Sequence, residues 1–323
     1  MKVYFLPSYI CRAPSTRMRV YKIAETFEQW GQPTEVIDRN LSIEEKHELL
    51  KDIQSDDILY IQKWRSAFNA VEHLKQYKGK CKIVFDLDDN TGDKQALELV
   101  ELSDALVVGN HWLHQKFDDG TKPVIIAPSP VDILEYPKFT VEGPSAIAMA
   151  KCGIKPMLGP LKRKKELLDG LNESMGTTLI LGGFQKPEQQ KEMEELFPYA
   201  TCYKLQTYDQ YLKEMVPALQ KATVGILPFT KRDQGKSGHS ALANLAMGVP
   251  TCASPFAECD KIIQDGVNGF LASNPKEWKE KLAVLMSDAG LRQSFRCEGW
   301  KTIINKYDVP IIARKLLEDL GQV

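Results

Sequence analysis

The fold is read from Gly235-Lys236-Ser237-Gly238-His239-Ser240-Ala241-Leu242-Ala243-Asn244-Leu245-Ala246-Met247-Gly248-Val249-Pro250-Thr251-Cys252-Ala253-Ser254. This stretch opens as a polar, glycine-containing loop, runs on as a small-residue helix over 241–247 and ends in a buried strand. Gly248 can stop the helix, and Val249-Pro250-Thr251 leads into the strand. Upstream, the apolar run 223–227 closes in Pro228 and reads as a strand. Lys236, Ser237, Gly238, His239 and Ser240 therefore fall near a helix N-terminus that follows a strand. Free N–H groups and the positive end of the helix dipole gather there, which suits an anion such as a diphosphate. Gly235 and Gly238 permit close backbone approach and Lys236 adds a point charge. The competing reading is an ordinary strand–loop–helix with a solvated lysine.

Working outward, the first half alternates strands and helices. Strands are expected at 3–6, 34–37, 58–61, 82–85, 105–108 and 123–127. Helices are expected at 16–27, 67–77 and 95–102, with another opened by a capping box of Ser42 and Glu45. In the second half, strands are expected at 146–150, 178–181, 202–203, 223–227 and 251–253. The helices there fall at 162–171, 208–220, 276–286, 289–305 and 310–320. The stretch 128–143, with prolines and no clear period, reads as a linker. The expectation is thus α/β, as two tandem domains of parallel sheet, residues 1–135 and 136–307. Ligands of open α/β sheets bind at the carboxyl ends of the strands, so a cleft between the halves is the expected site.

Composition sets the outer limits. The 323 residues suffice for two domains, and 43% hydrophobic with 26% charged content is globular. A net charge of −1 gives no global attraction to nucleic acid or anionic membrane. Residues 1–135 carry 17 Lys+Arg against 22 Asp+Glu and the remainder 25 against 21, which favours the second half for an anion. The seven cysteines lie at 11, 81, 152, 202, 252, 259 and 297 without a CxxC pair, and read as thiols in a reducing compartment. No leader precedes Val3 and no apolar run approaches the roughly 18 residues of a membrane span, so a cytoplasmic protein is expected.

Three segments of the second half carry a resemblance. They are Ala222 to Pro228 (ATVGILP), the Lys236-Ser237 loop with Leu245-Ala246-Met247-Gly248-Val249-Pro250, and Asp265-Gly266-Val267-Asn268-Gly269-Phe270. Together they resemble the donor domain of GT-B glycosyltransferases, most closely the retaining group 1, family 4-like, sugar-nucleotide enzymes. In the first half, Asp104 to Val108 followed by a helix and by 124–131 resembles the end of that family's acceptor domain. The resemblance implies two Rossmann-like domains facing a cleft, with residues 308–323 crossing back onto the first. It implies transfer of a sugar, hexosyltransferase fashion, from a nucleoside-diphosphate sugar to a hydroxyl acceptor with retention. The sugar nucleotide would be a substrate, and no cofactor or metal is expected. Where family members commonly carry two donor-loop glutamates, this chain has Gly235 and Ala243, with Asn244 beside the second. A non-catalytic binding protein of the same fold, or an enzyme acting on hydroxylated bases of nucleic acid, are the alternatives; the acidic first half does not favour the latter.

Candidate residues follow. Asp86, Asp88 and Asp89 come directly after a strand, and Asp88 or Asp89 can orient an acceptor hydroxyl or act as its base. Helix capping is the plainer role. Asp86-Leu87-Asp88 is formally a DxD metal motif, but in this fold Lys, Arg and a helix terminus neutralise the diphosphate. Arg12, Ser15, Arg17 and Arg19 sit at the first strand–helix junction, facing the same expected cleft, with Arg17 best placed for a phosphate or acceptor contact. Lys151 and Lys155 follow the first strand of the second domain and resemble in place the family's diphosphate pair. Lys236, Ser237, Gly238, His239, Ser240 and Asn244 complete the donor side.

Overall fold

A computed structural model describes residues 1–11, 13–88, 92–136, 146–150, 155–184, 186–204 and 207–323, without the side chains of 149, 150 and 155–158. The chain forms two compact units. One comprises Met1–Asp132, Gly235–Ser237 and Tyr307–Val323, the other Ile133–Gln234 and Gly238–Lys306.

The first unit holds a parallel sheet of β1 (Val3–Leu6), β2 (Thr34–Val36), β3 (Ile58–Gln62), β4 (Lys82–Leu87), β5 (Ala105–Val108) and β6 (Val124–Ile126), in the order β2-β1-β3-β4-β5-β6. β1 and β3–β5 are apolar and almost wholly buried because helices cover both faces of the sheet. One core layer sets Leu6, Leu59, Ile61, Phe85 and Leu106 against Leu74 and Leu99. The other sets Phe5, Tyr60 and Val107 against Phe27 and against Ile312, Ala313, Leu316 and Leu320 of the last helix, Val309–Leu320. Val131 fastens that helix by accepting from Val309 N at 3.1 Å and donating to Tyr307 O at 2.9 Å.

Local sequence explains most of these elements. Ser42 and Glu45 form the reciprocal capping box at the helix Ile43–Leu49. The first helix runs Pro14–Thr16, Arg17–Tyr21 and Lys22–Gln29, its middle segment wound as a π turn. The helix expected over 67–77 is instead three short pieces, Ala67–Asn69, Val71–Leu74 and Lys75–Tyr77. Ala70 takes extended backbone (φ −89°, ψ 144°) and breaks the first piece from the second.

The second unit's sheet comprises β7 (Ala146–Ala150), β8 (Thr178–Phe184), β9 (Ala200–Lys204), β10 (Val224–Leu227), β11 (Thr251–Ala253) and β12 (Phe270–Leu271), all parallel, ordered β12-β11-β10-β7-β8-β9. Here the chain grows outward from β7 through β8 to β9, then returns to the other side of β7. The helix Pro187–Leu196 has no counterpart in the sequence reading: Met193 is its one buried residue, so it offers no apolar stripe. Both sheets are doubly wound, with growth reversing between β1 and β3 in the first and between β7 and β10 in the second. The carboxyl ends of strands at such a reversal are where open α/β sheets bind ligands.

Candidate functional site

At the reversal point of the first unit, polar side chains are gathered inside the protein. The β3–β4 register sets Gln62 beside Asp86, which brings the residues just beyond both strand ends together. Arg19 donates to Asp86 through Nε, at 2.9 Å to Oδ2, and through Nη2 to Oδ1; its Nη1 reaches Ala127 O at 2.7 Å. One residue past β3, Lys63 Nζ pairs with Asp88 Oδ1 at 2.8 Å. Gln62 Oε1 accepts from Ser8 N at 3.2 Å and Thr16 Oγ1 at 3.0 Å, binding β1, the first helix and β3 together. Gln62 Nε2 and Trp64 Nε1 are buried without a hydrogen-bond partner among the described residues.

Both ion pairs are almost fully buried, so each charge depends on its partner. Burial pulls the Arg19 guanidinium down, but the adjacent Asp86 outweighs it and holds its pKa above the usual value. Burial raises Asp86 from its ordinary value against the pull of Arg19. Asp88 goes the other way: burial pushes it up, but Lys63 and then Arg19 pull it below the ordinary value. Asp88 is therefore an ionised, pinned carboxylate.

Arg19, read as facing a cleft, is thus an interior counter-ion, 3% exposed. Arg17 is half-buried and lines a cleft of about 340 Å3 with Cys11, Tyr21, Lys22, Glu25 and Glu28. Ser15 is half-buried on the opening turn of the first helix. Arg12, Asp89 and Lys151 lie outside the described residues, and Lys155 opens the helix Lys155–Lys162 with its side chain undescribed.

In the second unit the loop after β10 ends in the helix His239–Ala246, which Gly238 caps in left-handed backbone (φ 65°, ψ 4°). A Cβ on Gly238 would also lie 2.5 Å from Ile262 Cδ1 and 3.0 Å from Ala257 O. Only glycine meets both demands. His239 and Ser240 occupy the first turn and are half-buried, as are Lys236 and Ser237 before them. Lys236 and Ser237 group with the first unit, where Asn110 Nδ2 donates to Lys236 O at 3.1 Å and Asn110 Oδ1 caps Leu113 N at 2.7 Å.

Asn244 turns inward, a correction to its reading as a donor contact. Its Nδ2 donates to Thr251 Oγ1 at 3.1 Å, and Thr251 in turn donates to Val249 O at 2.8 Å. A Cβ on Gly225 would come within 2.7 Å of that Nδ2, so the glycine in β10 makes room for the amide. Asn244 clasps helix to strands. Ala243 is likewise buried.

The sequence reading passed over Gln62, Lys63 and Asn110. Their signal is a polar residue at the carboxyl end of an apolar strand run, visible in Ile58-Leu59-Tyr60-Ile61-Gln62-Lys63. Among the described residues no group of three or more His, Cys, Asp or Glu side chains is arranged to hold a metal ion. Among the described cysteines there is no disulfide, and no described helix is long and apolar enough to cross a membrane.

Residues 165–288, which contain this loop and helix, match the family described as glycosyl transferases group 1. Among solved structures, a glycosyltransferase from Rickettsia africae ESF-5 is similar over 99% of this chain and 97% of its own, at 12% identity and a TM-score of 0.76. Anabaena Alr3699/HepE in complex with UDP covers 100% of both chains at 14% identity and a TM-score of 0.67. Sucrose-phosphate synthase from Thermosynechococcus elongatus covers 98% of this chain and 97% of its own, at 10% identity and a TM-score of 0.68. No curated protein matches the sequence. The fold is GT-B, as the sequence resemblance implied.

Proposed function

We propose that this GT-B glycosyltransferase, group 1 in its segment 165–288, moves a sugar from a nucleoside diphosphate to a hydroxyl acceptor, without a metal and with retention. The observation that carries the reading is Gly238. It caps a helix within the family segment, in a backbone that only glycine takes without strain, and so sets the N-terminus of His239–Ala246 where a diphosphate would approach it.

In this reading the β-phosphate lies against the N–H groups of Gly238, His239 and Ser240. Lys236 and the Ser237 hydroxyl supply charge and a further donor. As the glycosidic bond breaks, negative charge grows on the departing diphosphate, and fixed donors aimed at it stabilise that charge without reorganising. Asp88, held ionised by Lys63 at 2.8 Å, accepts a hydrogen bond from the acceptor hydroxyl and orients it. Its depressed pKa suits an acceptor of hydrogen bonds better than a base. Lys155 and Arg17 are proposed as further phosphate or acceptor contacts.

The test is a thermal-shift and calorimetric screen with UDP, GDP and their sugars, followed by donor hydrolysis and transfer to hydroxyl acceptors. Binding with turnover, unaffected by EDTA, is the expected result. Turnover abolished by EDTA and restored by manganese would overturn the metal-free reading. Binding without turnover would leave a non-catalytic protein of this fold.

A further inference from the structure

In the first unit the strand order reverses between β1 and β3, and the loops leaving β1, β2 and β3 meet on Ser8. Ser8 follows β1 and is fully buried. Its carbonyl accepts from Arg39 Nε, in the loop after β2, at 2.8 Å. Its Oγ accepts from Arg65 N, in the loop after β3, at 2.9 Å. Two arginines are thereby fixed by neutral groups at the carboxyl ends of adjoining strands.

Among the described residues neither guanidinium makes an ion pair. That of Arg39 gives its Nε to the Ser8 carbonyl, and that of Arg65 lies over the Trp64 ring, 4.7 Å from its centroid. Carboxylates close by in sequence are turned to backbone: Asp38 Oδ1 accepts from Asn40 N at 2.9 Å and Glu45 Oε2 from Ser42 N at 2.7 Å. A third cation adds to the surplus. Lys46, buried, donates through Nζ to Arg39 O at 2.7 Å and lies 5.7 Å from the centroid of Phe68, which shares a core layer with Trp64. Burial and then Arg39 pull its pKa below the ordinary lysine value, against Asp38 and Glu45. Beneath Arg65, Trp64 Nε1 is buried without an acceptor among the described residues. Arg65 is exposed and Arg39 half-buried, so a ligand can reach both.

We infer that Arg39 and Arg65 form an oxyanion site in the first unit, and that the acceptor carries a phosphate or carboxylate seated there. The second half of this inference rests on the transfer reading above. A guanidinium presents a planar fork that matches such a group with two parallel hydrogen bonds, and stacking on Trp64 orders the Arg65 fork in advance. The position is the one at which open α/β sheets bind ligands. Residues 1–135 are acidic, 22 Asp+Glu against 17 Lys+Arg, which disfavours a polyanion spread over the surface and leaves a single, locally held anion. The loop after β3 also carries Lys63, the partner of Asp88, so neighbouring residues address the anion and the reacting hydroxyl of one acceptor.

Glucose, glucose 6-phosphate and glucuronate share a ring and differ in charge. Their binding to the wild type, Arg65→Gln, Arg65→Lys and Arg39→Gln is measured calorimetrically, beside melting temperatures and UDP affinity. The wild type is expected to bind one of the two anionic sugars about tenfold or more tightly than glucose. A preference for glucose 6-phosphate assigns a phosphate, and a preference for glucuronate a carboxylate. Arg65→Gln removes an exposed side chain and is expected to melt as the wild type does while losing the preference; Arg65→Lys should recover part of it. Arg39→Gln is expected to lose the preference too, with a lower melting temperature because its tie to Ser8 is cut. Equal wild-type affinity for all three sugars would overturn the inference, as would a preference for the anion that survives both glutamine variants. UDP affinity is expected to be the same in Arg65→Gln as in the wild type. An arginine-dependent preference in a protein that binds no UDP would overturn the donor-site reading and leave the oxyanion site standing.

Discussion

The two sheets solve the same problem, a polar site at a reversal of strand order, with different materials. Past β3 and β4 the first unit uses side-chain charge: Arg19 with Asp86 and Lys63 with Asp88, all buried and matched one to one. After β10 the second unit uses backbone: a left-handed glycine, a helix N-terminus and half-buried short side chains. Buried charges are held by partners whose loss leaves an uncompensated ion, so they fix geometry at the expense of tolerance. Backbone N–H groups at a helix start need no internal partner and remain available to a ligand. The difference predicts that substitutions in the first network act chiefly on stability, and those in the second chiefly on binding.

The largest effect is expected from Lys63→Met, which leaves the Asp88 carboxylate buried without its counter-ion. A cost of about 3–5 kcal/mol is expected, a fall in melting temperature on the order of 10 °C. Calorimetric melting measures it, and a wild-type melting curve would break the contrast by showing that Asp88 is hydrated. Next comes Gly238→Ala, which sits on the boundary of the contrast because it disturbs both backbone and packing. A left-handed alanine with its Cβ 2.5 Å from Ile262 Cδ1 is expected to cost about 2–4 kcal/mol and to abolish nucleotide binding. A stable variant with intact UDP affinity would remove the helix terminus from the site. Lys236→Ala is expected to weaken nucleoside diphosphate binding by about 1.5–3 kcal/mol, roughly 10- to 150-fold, with melting unchanged. Titration with unaltered affinity would take Lys236 out of the donor site.

The contrast also explains what could be read from sequence. Backbone devices are local: the Ser42–Glu45 box and the glycine before a small-residue helix each lie within a few residues, and both form. Charge pairing is not local. Lys63 and Asp88 meet only because β3 and β4 run in a register that sets Gln62 against Asp86, which no spacing encodes. Its place at the first strand–helix junction points Arg19 to a cleft, yet Met18, Arg19 and Val20 are all buried along the π turn. Asn244 was read as a donor contact from its place after the loop; the helix turns it toward Thr251 instead. The helix Pro187–Leu196 carries no apolar stripe to read, because Met193 is its one buried residue.

The smallest expected effect is an absence, and it sharpens the contrast most. If the first network is a matched set of charges, Asp88 does not titrate where the enzyme works. Its pKa in the folded protein lies below the ordinary carboxylate value of about 4, because Lys63, aided by Arg19, outweighs burial. The sign follows from linkage. A carboxylate with a depressed folded pKa contributes stability that is present above its unfolded pKa and lost as pH falls through the folded one. Between pH 5 and 9 Asp88 therefore stays ionised, and the pH profile of kcat/KM should carry no limb that belongs to it. Asp88→Asn should lower the rate by a constant factor across that range, because an amide oxygen still accepts from a hydroxyl, though more weakly than a carboxylate. An acidic limb in the wild type that vanishes in Asp88→Asn would mean that Asp88 takes up a proton during turnover. Asp88 would then be a base, and Lys63 the group that tunes it.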